Sequence, residues 1–159
     1  MMKATALAVL VLAGTLASCA SAGPEANRSR FQRSVGLATP QYARELSMRI
    51  ITQYGFVLEQ EETIPAIMIQ TRWKQRAPFA DEEALGISVA QNRLIVHARP
   101  RSTTNTAQTY SVDVVIENRV QLIGSDAWTE ASATPEYEKW TNRIVEDFTR
   151  ELNVGGVRR

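Results

Sequence analysis

His97 is the only imidazole in the chain and Cys19 the only thiol. Catalysis by either needs a partner that orients it and a second group that it activates. No spacing supplies them. The chain has no G-x-S-x-G, no H-E-x-x-H and no glycine-rich phosphate loop. A hydrolase would need His97 beside a carboxylate and a hydroxyl in one cleft. Asp81-Glu82-Glu83 could offer carboxylate oxygens to a divalent cation, but three adjacent acids also suit a solvated loop or the first turn of a short helix. Trp73 and Trp140 fall in apolar registers and read as core. Trp128 follows a turn, and its role stays open. No cofactor and no metal is expected.

The chemistry that the sequence does spell out is at Cys19. Met1-Met2-Lys3 is a minimal positive start, and Ala4 to Leu16 carries no charge. That run is too short to cross a bilayer, which takes about 20 apolar residues, but it has the length of a secretion-signal core. It ends in Leu16-Ala17-Ser18-Cys19, which resembles the lipobox of bacterial lipoproteins. The resemblance implies a diacylglyceryl group on Cys19, cleavage after Ser18 and acylation of the new amine. Two or three acyl chains anchor stably where one does not. Ordinary secretion is the competing reading, with Ala20-Ser21-Ala22 as the cleavage site. Ala20 stands where enterobacterial-type sorting would need Asp to keep a lipoprotein in the inner membrane. The expected location is therefore the periplasmic face of the outer membrane, or the cell membrane in an organism that lacks one.

The full chain has 18 Lys+Arg and 17 Asp+Glu, and loss of the leader removes only Lys3. This balance gives no concentrated basic face of the kind that nucleic acids require. With Cys19 acylated, no disulfide, cysteine metal site or cysteine nucleophile is left.

The elements divide the rest. Residues 19–38 read as the lipidated cysteine and a flexible tether, in which Arg28, Arg30 and Arg33 outnumber Glu25. Thr39 as N-cap and Pro40 at the first helical position predict a helix over 40–54, with Ala43, Leu46, Ile50 and Tyr54 on one face and Gly55 as its stop. A short strand over 56–60 follows. Pro65 opens the next, in which Ile67, Ile69, Thr71 and Trp73 alternate with Met68, Gln70, Arg72 and Lys74. Residues 75–92 have no clear period. Residues 93–99 form a strand with Leu94, Val96 and Ala98 on one side. The longest alternation runs from Tyr110 to Leu122, as one strand or two with a bend near Asn118. Thr134-Pro135 starts the last helix, with Tyr137, Trp140, Ile144, Phe148 and Leu152 on one face and Gly155-Gly156 at its end. Residues 156–159 read as a mobile basic tail, so a single domain spans 39–155.

Helix, four to five strands and helix, joined by short loops, predict an α+β two-layer sandwich. Its sheet is mostly antiparallel, and two amphipathic helices cover one face. The layout resembles the small lipoproteins of Gram-negative envelopes. By element order it also resembles the modules of BamC, the lipoprotein subunit of the outer-membrane β-barrel assembly machinery. A fold does not assign a function, but the absence of catalytic spacing favours a non-enzymatic binding or scaffold module, joined to the membrane through the lipid on Cys19 and to an envelope protein or peptidoglycan. The alternative is a carrier that holds an apolar ligand between sheet and helices. Strand phase nominates a surface for the first reading: Arg72, Lys74, Arg93, His97 and Arg99, all assigned to the face turned away from the helices.

Overall fold

Arg30–Ala38, expected as the end of the tether, is a strand, β1. The computed structural model describes residues 30–101 and 109–155. Cys19, the leader, the tether up to residue 29 and the tail at 156–159 lie outside the described residues. After β1 come α1 (Pro40–Gln53), β2 (Leu58–Glu62), β3 (Ile67–Thr71), β4 (Lys74–Arg76) and a one-turn α2 (Ala80–Glu83). Then follow β5 (Ile87–Pro100), β6 (Tyr110–Leu122), β7 (Thr129–Glu130) and α3 (Pro135–Gly155).

The fold is α+β, with one antiparallel sheet in the order β1-β6-β5-β3-β2. Among the described residues there are seven strands and three helices, against the expected four to five and two. The additions have separate causes. β1 is an edge strand whose outward residues are polar, and a bulge between Ser34 and Gly36 breaks its alternation. β4 is split from β3 by a bulge, β7 has two residues, and α2 is a single turn. These last three are too short to show a period. Residues 75–92 resolve into β4, α2 and the start of β5.

Tyr110 to Leu122 is one continuous strand, and β5 pairs with it along nearly its whole length. Both run through the middle of the sheet, so their inward residues are fully covered. Leu94, Val96 and Ala98 on β5 meet Val112, Val114 and Ile116 on β6 in one cluster. Leu46 and Ile50 of α1 and Tyr137, Ile144, Phe148 and Leu152 of α3 belong to the same cluster. α3 comes closest to β1, whereas α1 lies nearer β3 and β5. Gly36 permits that approach. Its φ is +143°, and a Cβ there would lie 3.4 Å from Leu152 Cδ1.

The capping signals act as expected. Thr39 Oγ1 accepts from the Tyr42 N–H at 3.3 Å, and Thr134 Oγ1 from the Tyr137 N–H at 3.4 Å. The two helices are also tied to each other. The Tyr54 hydroxyl donates to Asp147 at 2.7 Å, and Arg49 donates to Glu151 at 3.0 Å. Burial and that bond to Asp147 push the Tyr54 hydroxyl up to about 12.

Candidate functional site

The site begins with a one-residue slip. Gln70 pairs with Ile95, but Lys74 pairs with Asn92, so the β3–β4 side carries one residue more than β5 across the same interval. Such a bulge reverses which side chains face which way. Trp73 is therefore turned out of the apolar register it was assigned and onto the outer face. Lys74 goes the other way, toward the helices. Its Nζ donates to Tyr54 O at 2.6 Å and lies 5.4 Å from the Phe56 ring centroid.

On the outer face Trp73 is held between two arginines. The guanidinium carbons of Arg93 and Arg119 lie 4.7 and 4.1 Å from its ring centroid, and Arg119 also lies 4.9 Å from that of Trp128. The result is a ladder, Arg93–Trp73–Arg119–Trp128, of alternating guanidinium planes and indole faces. Hydrogen bonds fix its rungs. Arg93 Nε donates to Glu117 Oε2 at 2.5 Å, and Arg119 donates to Gln91 Oε1 at 3.0 and 2.7 Å. Arg30 at the start of β1 reaches the same Glu117 at 3.8 Å. Burial, and then the charge of Arg93, lower the proton affinity of Arg119.

These residues line a cleft of about 400 Å³. Its walls are Arg30, Arg93 and Arg119 with Trp73 and Trp128, and two carboxylates, Glu117 between the arginines and Glu130 on β7, also line it. Arg119 sits on the predicted wet face of its strand but lay outside the nominated surface. Trp128, whose place after a turn leaves its role open in the sequence, directly precedes the two-residue β7.

The five nominated residues do not share one surface. Arg93 belongs to the cleft. His97 and Arg99 follow it on the same face of β5, roughly 13 and 20 Å further along at the rise of a strand. Arg72 is exposed inside the bulge, with its N–H donating to Val57 O at 2.8 Å. Lys74 is on the helix side. His97 lies opposite Asp113, but burial, reinforced by Arg99 and Arg30, lowers its proton affinity despite that carboxylate. It is therefore neutral near pH 7. Asp113 pairs in turn with Ser34, so the row across the sheet reads Ser34, Asp113, His97. Serine and imidazole are two strand spacings apart, about 9.5 Å, and the acid stands between them. That is not the geometry of an activated hydroxyl.

The acidic triplet separates into single roles. Asp81 accepts from Thr134 Oγ1 and from the Glu136 N–H, both at 2.9 Å, and so caps the start of α3. Glu82 is 1% exposed and meets Arg76 through two bonds of 2.5 and 2.6 Å. Arg76 also donates to Asn92 at 2.7 Å and stacks 4.3 Å from the Phe79 centroid. Among the described residues no group of three His, Cys, Asp or Glu could hold a metal. Trp140 packs, as expected, against the core, with Phe56 and Phe79 at 6.5 Å and Tyr137 at 6.1 Å.

Fold and site together define an α+β domain with a cationic and aromatic cleft on the open face of its sheet. The chain matches no protein-family model and no curated protein significantly.

Proposed function

We propose that this protein is a lipid-anchored module of the bacterial envelope that binds an acidic partner and performs no reaction on it. The anchor is the acylated Cys19, and the location is the periplasmic face of the outer membrane, or the cell membrane where no outer membrane exists. The lipobox resemblance of Leu16-Ala17-Ser18-Cys19 supports the anchor. One observation supports the binding role: three arginines and two tryptophans converge on a cleft of about 400 Å³.

Arginine's planar fork pairs with carboxylate in a bidentate way, and the stacking on Trp73 holds the forks in place before a partner arrives. The indole faces would cover the apolar part of the same partner. A carboxylate-bearing envelope protein or peptidoglycan stem peptide has this combination. A carrier role between the layers finds less support, because most side chains that meet there are buried against one another, and the space that is left, about 190 Å³ beside Phe56, Phe79 and Trp140, is also lined by the cations Lys74 and Arg76.

The test is capture from cross-linked envelopes at low and high salt. Wild-type protein should hold its partner more firmly at low salt, and a folded Arg30→Ser, Arg93→Ser double variant should lose it. An unchanged capture profile would remove the cleft from consideration. Mass spectrometry of the mature N-terminus tests the anchor. An unmodified chain beginning at Gly23 would overturn it.

A further inference from the structure

The end of the sheet at which the chain enters carries an apolar tip. Ile87 pairs with Leu122, and the Ile123 N–H donates to Gly86 O at 2.8 Å, so the segment before β5 and the end of β6 lie side by side. Leu85, Leu122 and Ile123 there are 67%, 45% and 73% exposed. Burying large apolar side chains is worth far more than leaving them in water, and three exposed together at one end mark a contact surface.

The location of the chain's entry identifies the occupant. Arg30 pairs with Glu117, five residues before Leu122, so β1 begins at the end of the sheet nearer the tip. Ten residues, Ala20 to Ser29, separate Arg30 from Cys19. Fully extended they span about 35 Å at most. A lipid on Cys19 therefore holds Arg30 within about 35 Å of the bilayer, which leaves the tip within reach of it. Trp128 is half-buried at this end of the domain, and amphipathic indole rings favour the headgroup level. Arg119 stands about 10 Å behind the tip, and Arg30 and Arg93 roughly 16–20 Å behind it, at the rise of a strand. Exposed Glu83 and Asp126 at the same end oppose attraction by net charge, so apolar insertion has to carry the contact.

We infer that the Leu85, Leu122 and Ile123 tip docks into the interface of the membrane that holds the anchor, which turns the cleft toward the headgroup layer. This rests on the lipid-anchor reading above. The test uses mature acylated protein in vesicles of phosphatidylethanolamine and phosphatidylglycerol. With Cys19 acylated, Ile123→Cys supplies the single free thiol for an environment-sensitive fluorophore. Ile64→Cys, 87% exposed at the β2–β3 turn, is the control. That turn lies near Ala98, roughly 35 Å from Ile87 along β5.

The label at 123 should be quenched several-fold more by nitroxide lipids than the label at 64, and less by aqueous iodide. Leu85→Ser should reduce that difference without unfolding the domain. Equal quenching at both positions, in protein that floats with the vesicles, would overturn the docking and leave the anchor standing. Protein that fails to float would remove the anchor and the docking with it. Shielding of position 123 that depends on protein concentration without lipid would assign the tip to a second copy and overturn the proposal.

Discussion

The guanidinium carbon of Arg119 lies 4.1 Å from the ring centroid of Trp73, although Arg119 is on β6 and Trp73 lies in the bulge between β3 and β4. β5 lies between them, and the contact forms only because the bulge after β3 turns Trp73 outward. Trp73→Ala removes two guanidinium stacks and the packing beneath them. At about 0.5–1 kcal/mol for each partly exposed stack, we expect a loss near 1–2 kcal/mol in urea unfolding. Trp73→Phe should restore part of it. A wild-type midpoint in the alanine variant would mean that the ladder adds nothing to stability.

Glu82 and Arg76 are a buried ion pair, so removing one partner strands the other. Glu82→Ala should cost about 3–5 kcal/mol. Arg76→Met combined with Glu82→Leu should recover much of that loss, since neither charge then stays buried alone. A double variant as unstable as the single would show that the bonds from Arg76 to Asn92 and Asn118 matter more than the pair itself.

Asp81 satisfies a backbone N–H at the start of α3, and its removal should cost about 1 kcal/mol, the usual worth of a helix cap. Thermal unfolding measures it. Added calcium should leave the melting temperature of wild type and Asp81→Ala unchanged. A calcium-dependent rise in the wild type alone would restore the metal reading of the acidic triplet.

His97 has its proton affinity lowered in the fold, chiefly by burial. The unfolded chain, with an ordinary imidazole near 6.5, therefore binds the proton first as pH falls. Stability from this group is complete above pH 6.5 and is lost as pH drops through that value toward the lower folded one. His97→Gln should flatten this part of the pH–stability curve, read from denaturant midpoints between pH 7.5 and 5. An identical slope in the variant would place the acid sensitivity elsewhere.

Phe148 is fully buried between α3 and the sheet. Phe148→Ala should destabilise by about 3–5 kcal/mol, a large part of a domain's usual 5–15. A loss below about 1 kcal/mol in chemical unfolding would mean that α3 does not depend on this contact.

The sequence by itself determined both long helices. Thr-Pro starts, glycine stops and one apolar stripe are local signals, and Thr39 and Thr134 act within three residues of where they stand. It also determined the faces of β5 from Leu94 on and of β6, because a period of two sustained over a long strand leaves one choice of side. The antiparallel α+β class follows from these. The tertiary structure decided what short or interrupted alternation cannot carry. β1 needed β6 beside it to become a strand, since Arg30, Gln32, Arg33 and Ser34 offer no apolar stripe of their own. The bulge between β3 and β4 exists only relative to β5. One extra residue reverses every side chain after it, and that reversal took Lys74 from the outer face and put Trp73 there. Cross-strand partners such as Arg119 and Trp73 are far apart in sequence, and only the register of a folded sheet makes them neighbours.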